Sequence, residues 1–219
     1  MPSWNIHIAH YERLRAEVDL ASYGIASPNA FLFGNVLPDV YVGYMVPDAS
    51  MRIDYRLTHV ADSAPIPLPK ADKFWDLYAE SHHWDRSELI LGAWAHLVCD
   101  HVYNRATREF LAREGIRMNS GIRARKQGDF ALFGRTLPIS AQVEATDELV
   151  EACRTFPQYR ILEPDVRRAV RAANAIVERN ASEHIEGVPE YSLLGQQFFL
   201  DTFERVHEEL VLGLERARA

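Results

Sequence analysis

The segment from Arg86 to about Glu114 constrains this chain more than any other. Asp85 stands at the position of an N-cap, Gly115 at that of a helix stop, and the residues between them read as the clearest helix in the sequence. Within its apolar stretch, Leu89 to Cys99, lies His96, and four residues later comes Asp100. That spacing places both side chains on one helical face, one turn apart, where they can share a metal or pair in the core. His101 follows directly and points about 100° away.

Helical periodicity dominates the remainder, so the expected class is all-α, a single-domain helical bundle over residues 1–219 with long irregular loops. Ser3 can cap a first helix running to about Tyr23 and stopped by Gly24. Ser27-Pro28 is a second start signal, for a short helix ending before Pro38. Residues 40 to 69 are punctuated by Pro47, Pro65, Pro67 and Pro69, which predicts a long loop with one helical turn near His59. Loops of that length in a compact domain are functional or disordered. A third helix is expected over Lys70–His83 with Phe74, Leu77 and Tyr78 inward, and an irregular stretch over 116–134. In the C-terminal part, 136–219, helices are expected over Ser140–Thr155, Glu163–Asn180 and Ser192–Arg218.

A net charge of −7, with no long run of Lys and Arg, argues against a dedicated nucleic-acid groove. It leaves room for a phosphate-bearing ligand, because a metal can supply positive charge locally. The longest apolar stretch covers about half a membrane span. The N-terminus lacks the basic stretch and apolar core of a secretion signal, so the expectation is a cytoplasmic protein without a transmembrane segment. Cys99 and Cys153 have no CxxC spacing and read as buried small hydrophobes. Trp4, Phe31, Phe33, Tyr41, Tyr44 and Trp94 read as core aromatics.

Seven of the nine histidines fall in the first 101 residues: His7, His10, His59, His82, His83, His96 and His101. Besides HLVCD, three features stand out in that half, residues 1–105. GNVLPD ends in Asp39, with Gly34 and Pro38 allowing a tight helix exit that fixes the carboxylate. Thr58-His59 lies within the long loop, and WNIHIAH places His7 and His10 three residues apart on the first helix. His10 taken alone reads as surface-exposed. Together the features spell H…PD…TH…HxxxD, a nitrogen and carboxylate set without thiolate that suits zinc, manganese or iron.

These motifs (W..H near the N-terminus, GNVLPD, TH and GAWAHLVCD) resemble those of the zinc-dependent phospholipase C family, an all-helical group that also includes zinc nucleases cleaving single strands. The resemblance covers about Pro2 to Tyr103. It implies that Asp39, His59, His96 and Asp100 hold one zinc ion, and that Asp100 bridges to a second zinc shared with His7. In that family the metals activate a water that attacks a phosphodiester. Asp39 and Asp100 would then be the catalytic carboxylates, and the partner a phosphate-ester small molecule or lipid headgroup.

The sequence also departs from the family pattern. Trp4 is internal, so its nitrogen is an amide and not the free amine that the family uses. Ala106 stands where a further His is expected, and no HxxxE follows downstream. Asp129, in QGDFALFG, is a candidate substitute ligand, with an exposed capping role as the competing reading. The leading expectation is a metal-dependent phosphoesterase. Arg52, Arg56, Arg123 and Arg125 are candidates for gripping phosphate. The alternatives are an HD-type phosphohydrolase, disfavoured by the reversed order Asp100-His101, and a helical scaffold with a structural four-ligand metal.

Overall fold

The computed structural model describes residues 2–80 and 87–218, and every regular element among them is helical. No described helix is long and apolar enough to cross a membrane. The organising element is α5, Glu88–Arg113, which is buried along most of its length. Its N-cap is Ser87, whose hydroxyl accepts the Ile90 N–H. Asp85, the expected cap, lies outside the described residues, as do His82 and His83.

Helix α1 spans Trp4–Glu17, shorter than expected. Asp19 supplies a second start signal, its carboxylate accepting the Ala21 N–H, and Leu20–Tyr23 therefore forms a separate 3₁₀ turn. Gly24 closes that turn in the left-handed conformation, φ 78°. Helix α2, Pro28–Gly34, begins at Ser27 as expected, and a 3₁₀ turn over Leu37–Asp39 follows it. Where α2 crosses α5, Gly34 meets Gly92 so closely that a Cβ on either would collide with main-chain atoms of the other helix. Backbone therefore packs on backbone at this crossing, which only glycine permits.

The long segment that follows contains one short helix, α3 (Tyr55–Thr58), near His59 as expected. Beyond it, α5 holds the chain down. Arg108 pairs with Asp62 at 2.9 Å and donates to the Ile66 carbonyl. Asn104 donates to the Pro67 carbonyl, and His101 Nδ1 bonds the Pro69 carbonyl at 2.7 Å. Helix α4, Ala71–Phe74, then runs into a π-helical stretch, Trp75–Glu80. The wider π repeat turns the face: Phe74 is buried, while Leu77, expected inward, is 46 % exposed.

The stretch 116–134, expected to be irregular, is largely helix α6 (Ser120–Thr136). The Asn119 side chain caps it through the Ile122 N–H. Its buried stripe is Lys126, Asp129, Phe130 and Phe133, an i, i+3, i+4, i+7 pattern in which two members are charged. Those two charges dilute the apolar periodicity that reveals a helix in sequence.

Helix α7 spans only Asp147–Arg154, because Thr146 caps it and the preceding residues lie extended. Side-chain amides hold that extended strip. Asn174 bonds both the N–H and C=O of Val143, and Asn29 does the same for Glu144. Helices α8 (Glu163–Ser182) and α9 (Gln196–Arg218) complete the chain. One hydrophobic core runs from Trp4 to Leu214, with α5 between α2 and α9. Cys99 and Cys153 are buried and free, as expected.

Candidate metal centre

Five side chains from four separate places converge beside α5. His7 comes from α1, Asp39 from the 3₁₀ turn after α2, His59 from the end of α3, and His96 and Asp100 from successive turns of α5. All five are buried. His59 Nε2 lies 3.0 Å from His96 Nε2, 3.6 Å from Asp39 Oδ1 and 3.6 Å from Asp100 Oδ2. His96 Nε2 is 3.9 Å from a carboxylate oxygen of each aspartate. His7 stacks face to face on His96, ring centroids 4.0 Å apart, with its Nε2 3.4 Å from Asp100 Oδ1.

The outer hydrogen bonds fix the His96 tautomer and bear on that of His59. His96 Nδ1 sits 2.9 Å from the Asn35 carbonyl, which only accepts, so Nδ1 bears the hydrogen. The Thr58 hydroxyl lies 3.2 Å from the Tyr55 carbonyl and 2.7 Å from His59 Nδ1; when it donates to the carbonyl it receives the His59 Nδ1 hydrogen, and when it donates to Nδ1 the ring hydrogen sits on Nε2. In the first tautomer both neutral rings present bare Nε2 atoms to each other; in the second, His59 Nε2–H donates to His96 Nε2 at 3.0 Å. Burial holds His59 well below the ordinary histidine range, so it stays neutral at pH 7. Asp39, His59 and His96, with Asp100 beside them, could hold a cation. The tautomer with Nδ1 anchored outward and Nε2 bare is the one that suits metal ligation here.

The carboxylates are held with equal care. The Trp4 indole donates to Asp39 Oδ2 at 3.0 Å, and the Tyr55 hydroxyl donates to Asp100 Oδ2 at 2.7 Å. Asp39 Oδ1, Asp100 Oδ1 and both His7 nitrogens are buried without a hydrogen bond. Burial, reinforced by the charge of Asp100, pushes the Asp39 carboxyl up to about 6 against the opposing pull of His96 and Trp4. Burial also raises Asp100, but the His7 imidazole 3.4 Å away and the His96 and His59 rings outweigh it and leave Asp100 well below the usual range. His7 is pulled down to about 4, first by burial and then by repulsion from His96.

Two groups of donor atoms are close enough to hold an ion: Asp39, His59 and His96, and separately His7, His96 and Asp100. They share His96, whose Nδ1 is committed to Asn35, so that residue can serve only one ion at a time. Asp100, near both His59 and His96, completes a four-residue set with Asp39. The second position retains only His7 and Asp100. The donor set of buried imidazole and carboxylate fits zinc, and the orphaned atoms are those that would face an ion.

The other candidates lie elsewhere. His10, expected at the surface, is buried and stacks on Phe203 at 4.1 Å, and neither ring nitrogen has a hydrogen bond. The close packing of α1 on α9 encloses it. Asp129 is neither an exposed cap nor a member of the cluster. Its Oδ1 accepts from the Ser192 N–H and hydroxyl, and its Oδ2 from the Leu193 and Leu194 N–H groups at 2.7 Å each. Those four bonds occupy the carboxylate and explain why α9 starts after Ser192. His101 is held by the Pro69 carbonyl.

A cavity of about 770 Å³ opens beside the cluster and includes Asp39 and Tyr55 in its lining. Of the four arginine candidates, Arg56 and Arg123 line it, and Arg56 is already paired with Asp54 at 2.8 Å. Arg52 donates to the Val46 and Pro47 carbonyls, and Arg125 to the Ser192 carbonyl. Tyr44, expected in the core, is 78 % exposed at the cavity rim. Sequence reading also missed Trp4, Asn35 and Tyr55 as supports. The first two lie inside WNIHIAH and GNVLPD, and Tyr55 precedes His59 by one turn and stacks on it.

The end of α3 shows how His59 is aimed. The Ala61 N–H bonds the Arg56 carbonyl at 2.9 Å and the Val60 N–H bonds the Leu57 carbonyl, the pattern of a Schellman cap with His59 as the last half-helical residue. That cap requires a left-handed residue next, and the residue is Val60, φ 50°. A β-branched side chain there is strained, and strain of this kind gathers beside functional groups.

Comparison with family models, with curated proteins and with solved structures finds no match to this chain.

Proposed function

We propose that this chain is a metal-dependent phosphoesterase of the zinc-dependent phospholipase C type with a reduced metal site. Asp39, His59, His96 and Asp100 would hold one zinc ion, with His7 beside it. The observation that carries this reading is the Nε2-to-Nε2 approach of His59 and His96, buried between two carboxylates and next to an open cavity. A zinc ion there supplies Lewis acidity toward a phosphoryl oxygen and lowers the pKa of water. The protein's own contribution is to orient the ligands through Trp4, Asn35, Thr58 and Tyr55 and to bury them.

A second reading rests on the same burial. Four protein ligands can close a tetrahedral zinc site, which would make it structural. Elemental analysis of the wild type and His96→Ala, followed by turnover of a chromogenic phosphodiester and phosphomonoester, tests both. Metal at one per chain that is lost in the variant, with zinc-dependent hydrolysis, supports the phosphoesterase. Metal without hydrolysis of either ester favours the structural site, and a folded wild type that takes up no metal removes both.

A further inference from the structure

Lys126 is the cation on the inner side of the cavity. It sits on α6, 5 % exposed, with its ammonium 5.3 Å from the Phe130 ring centroid, and it lines the same cavity as Asp39 and Tyr55. Among the described residues no carboxylate lies within ion-pair distance of it. Burying an ammonium without a counter-charge is costly, because its hydration is lost and little replaces it. The other cavity cations differ: Arg56 is spent on Asp54, and Arg123 is exposed. The charge balance of the cluster points the same way. Two carboxylates and one divalent ion sum to zero, so an arriving oxyanion would find no net positive charge from the ligand set alone.

We propose that Lys126 is the anion-holding group of this cavity, its ammonium binding a phosphoryl oxygen of a ligand seated against the Asp39–His59–His96–Asp100 site. This rests on the metal-site reading and adds to it the residue that supplies the missing charge. The bound ligand is a phosphate or phosphate ester, with one oxygen toward the metal and another toward Lys126. A single ammonium can take such an oxygen as a point charge, without the planar fork of an arginine.

The test is calorimetric titration of inorganic phosphate into zinc-loaded wild type, Lys126→Met and Lys126→Gln, with zinc content and melting temperature measured on the same samples. The two neutral variants guard against one of them failing to fold. Loss of a charged hydrogen bond should weaken phosphate about tenfold or more at unchanged zinc content. Phosphate binding that is absent from the wild type, or equal in wild type and neutral variants while zinc is retained, overturns the anion site and leaves the metal reading standing. A wild type that takes up no zinc overturns both.

Discussion

His59 and His96 meet Nε2 to Nε2 at 3.0 Å, each with its other ring nitrogen already bonded outward, to Thr58 and to Asn35. Neither ring can rotate to relieve the contact without breaking a buried hydrogen bond. Without a metal a single hydrogen can bridge the pair; with a metal, both Nε2 atoms turn bare and the pair becomes a pre-formed half of a coordination set. Folding has already ordered these side chains, so their ordering entropy is not charged against metal binding.

Zinc should raise the melting temperature of the wild type by roughly 5–10 °C at a hundredfold excess over its Kd, from the mass-action stabilisation expected of a ligand that binds only the folded state. His96→Ala should show no such shift, because both donor groups lose their shared member. Thermal scans with zinc and with a chelator measure this, and an equal shift in both proteins would exclude His96 as a ligand.

Metal affinity should fall as the solution is acidified below about pH 6. The Asp39 carboxyl, pushed up to about 6, then holds a proton that the metal must displace. His7, drawn down to about 4, does not compete in that range. For the metal-free chain the two shifts oppose each other. The raised Asp39 contributes stability at acid pH that is lost as pH rises from about 4 through 6. The depressed His7 contributes stability above about 6.5 that is lost as pH falls toward 4. Zinc titrations at pH 7.5, 6.5 and 5.5 should show affinity nearly flat across the first interval and falling by up to about tenfold per pH unit below pH 6, one proton's worth.

Tyr55→Phe should weaken zinc by about 10- to 100-fold while leaving the fold intact, since the hydroxyl's role is to hold Asp100 Oδ2 at 2.7 Å. Competition with a chromogenic chelator reads the affinity directly. An unchanged value would show that Asp100 needs no help in keeping its orientation.

Asp129→Ala should do the reverse: metal content stays, and stability falls. The substitution leaves the Ser192, Leu193 and Leu194 N–H groups without their acceptor, a loss of about 2–4 kcal/mol for bonds to a buried carboxylate. Urea unfolding with parallel metal analysis separates the two effects. Loss of zinc in this variant would reinstate Asp129 as a ligand.

The sequence reveals which side chains converge better than it reveals the fold around them. His96 and Asp100 stand out by their four-residue spacing in a long apolar helix, and Asp39 and His59 chiefly because GNVLPD and TH resemble motifs of a known family. What supports them is less visible, because Trp4 and Tyr55 look like ordinary aromatics until their polar tips are seen to reach a carboxylate. Helix α6 escaped for the opposite reason. Lys126 and Asp129 occupy core-facing positions, and a pattern search treats charge as a sign of surface. The extended strip before α7 was missed because its partners are the side chains of Asn29 and Asn174, far away in sequence.

The contact of Gly34 with Gly92 has a consequence for His96. A helix crossing lined with side chains can absorb a perturbation by changing rotamers, whereas this one has nothing at its seam that can turn. Asn35 follows Gly34 directly and His96 lies one turn beyond Gly92, so the gauge of the site is set where the two main chains touch. The bond from His96 Nδ1 to the Asn35 carbonyl thus spans a seam that a Cβ at either glycine would force apart, so the aim of His96 is tied to the absence of two methyl groups.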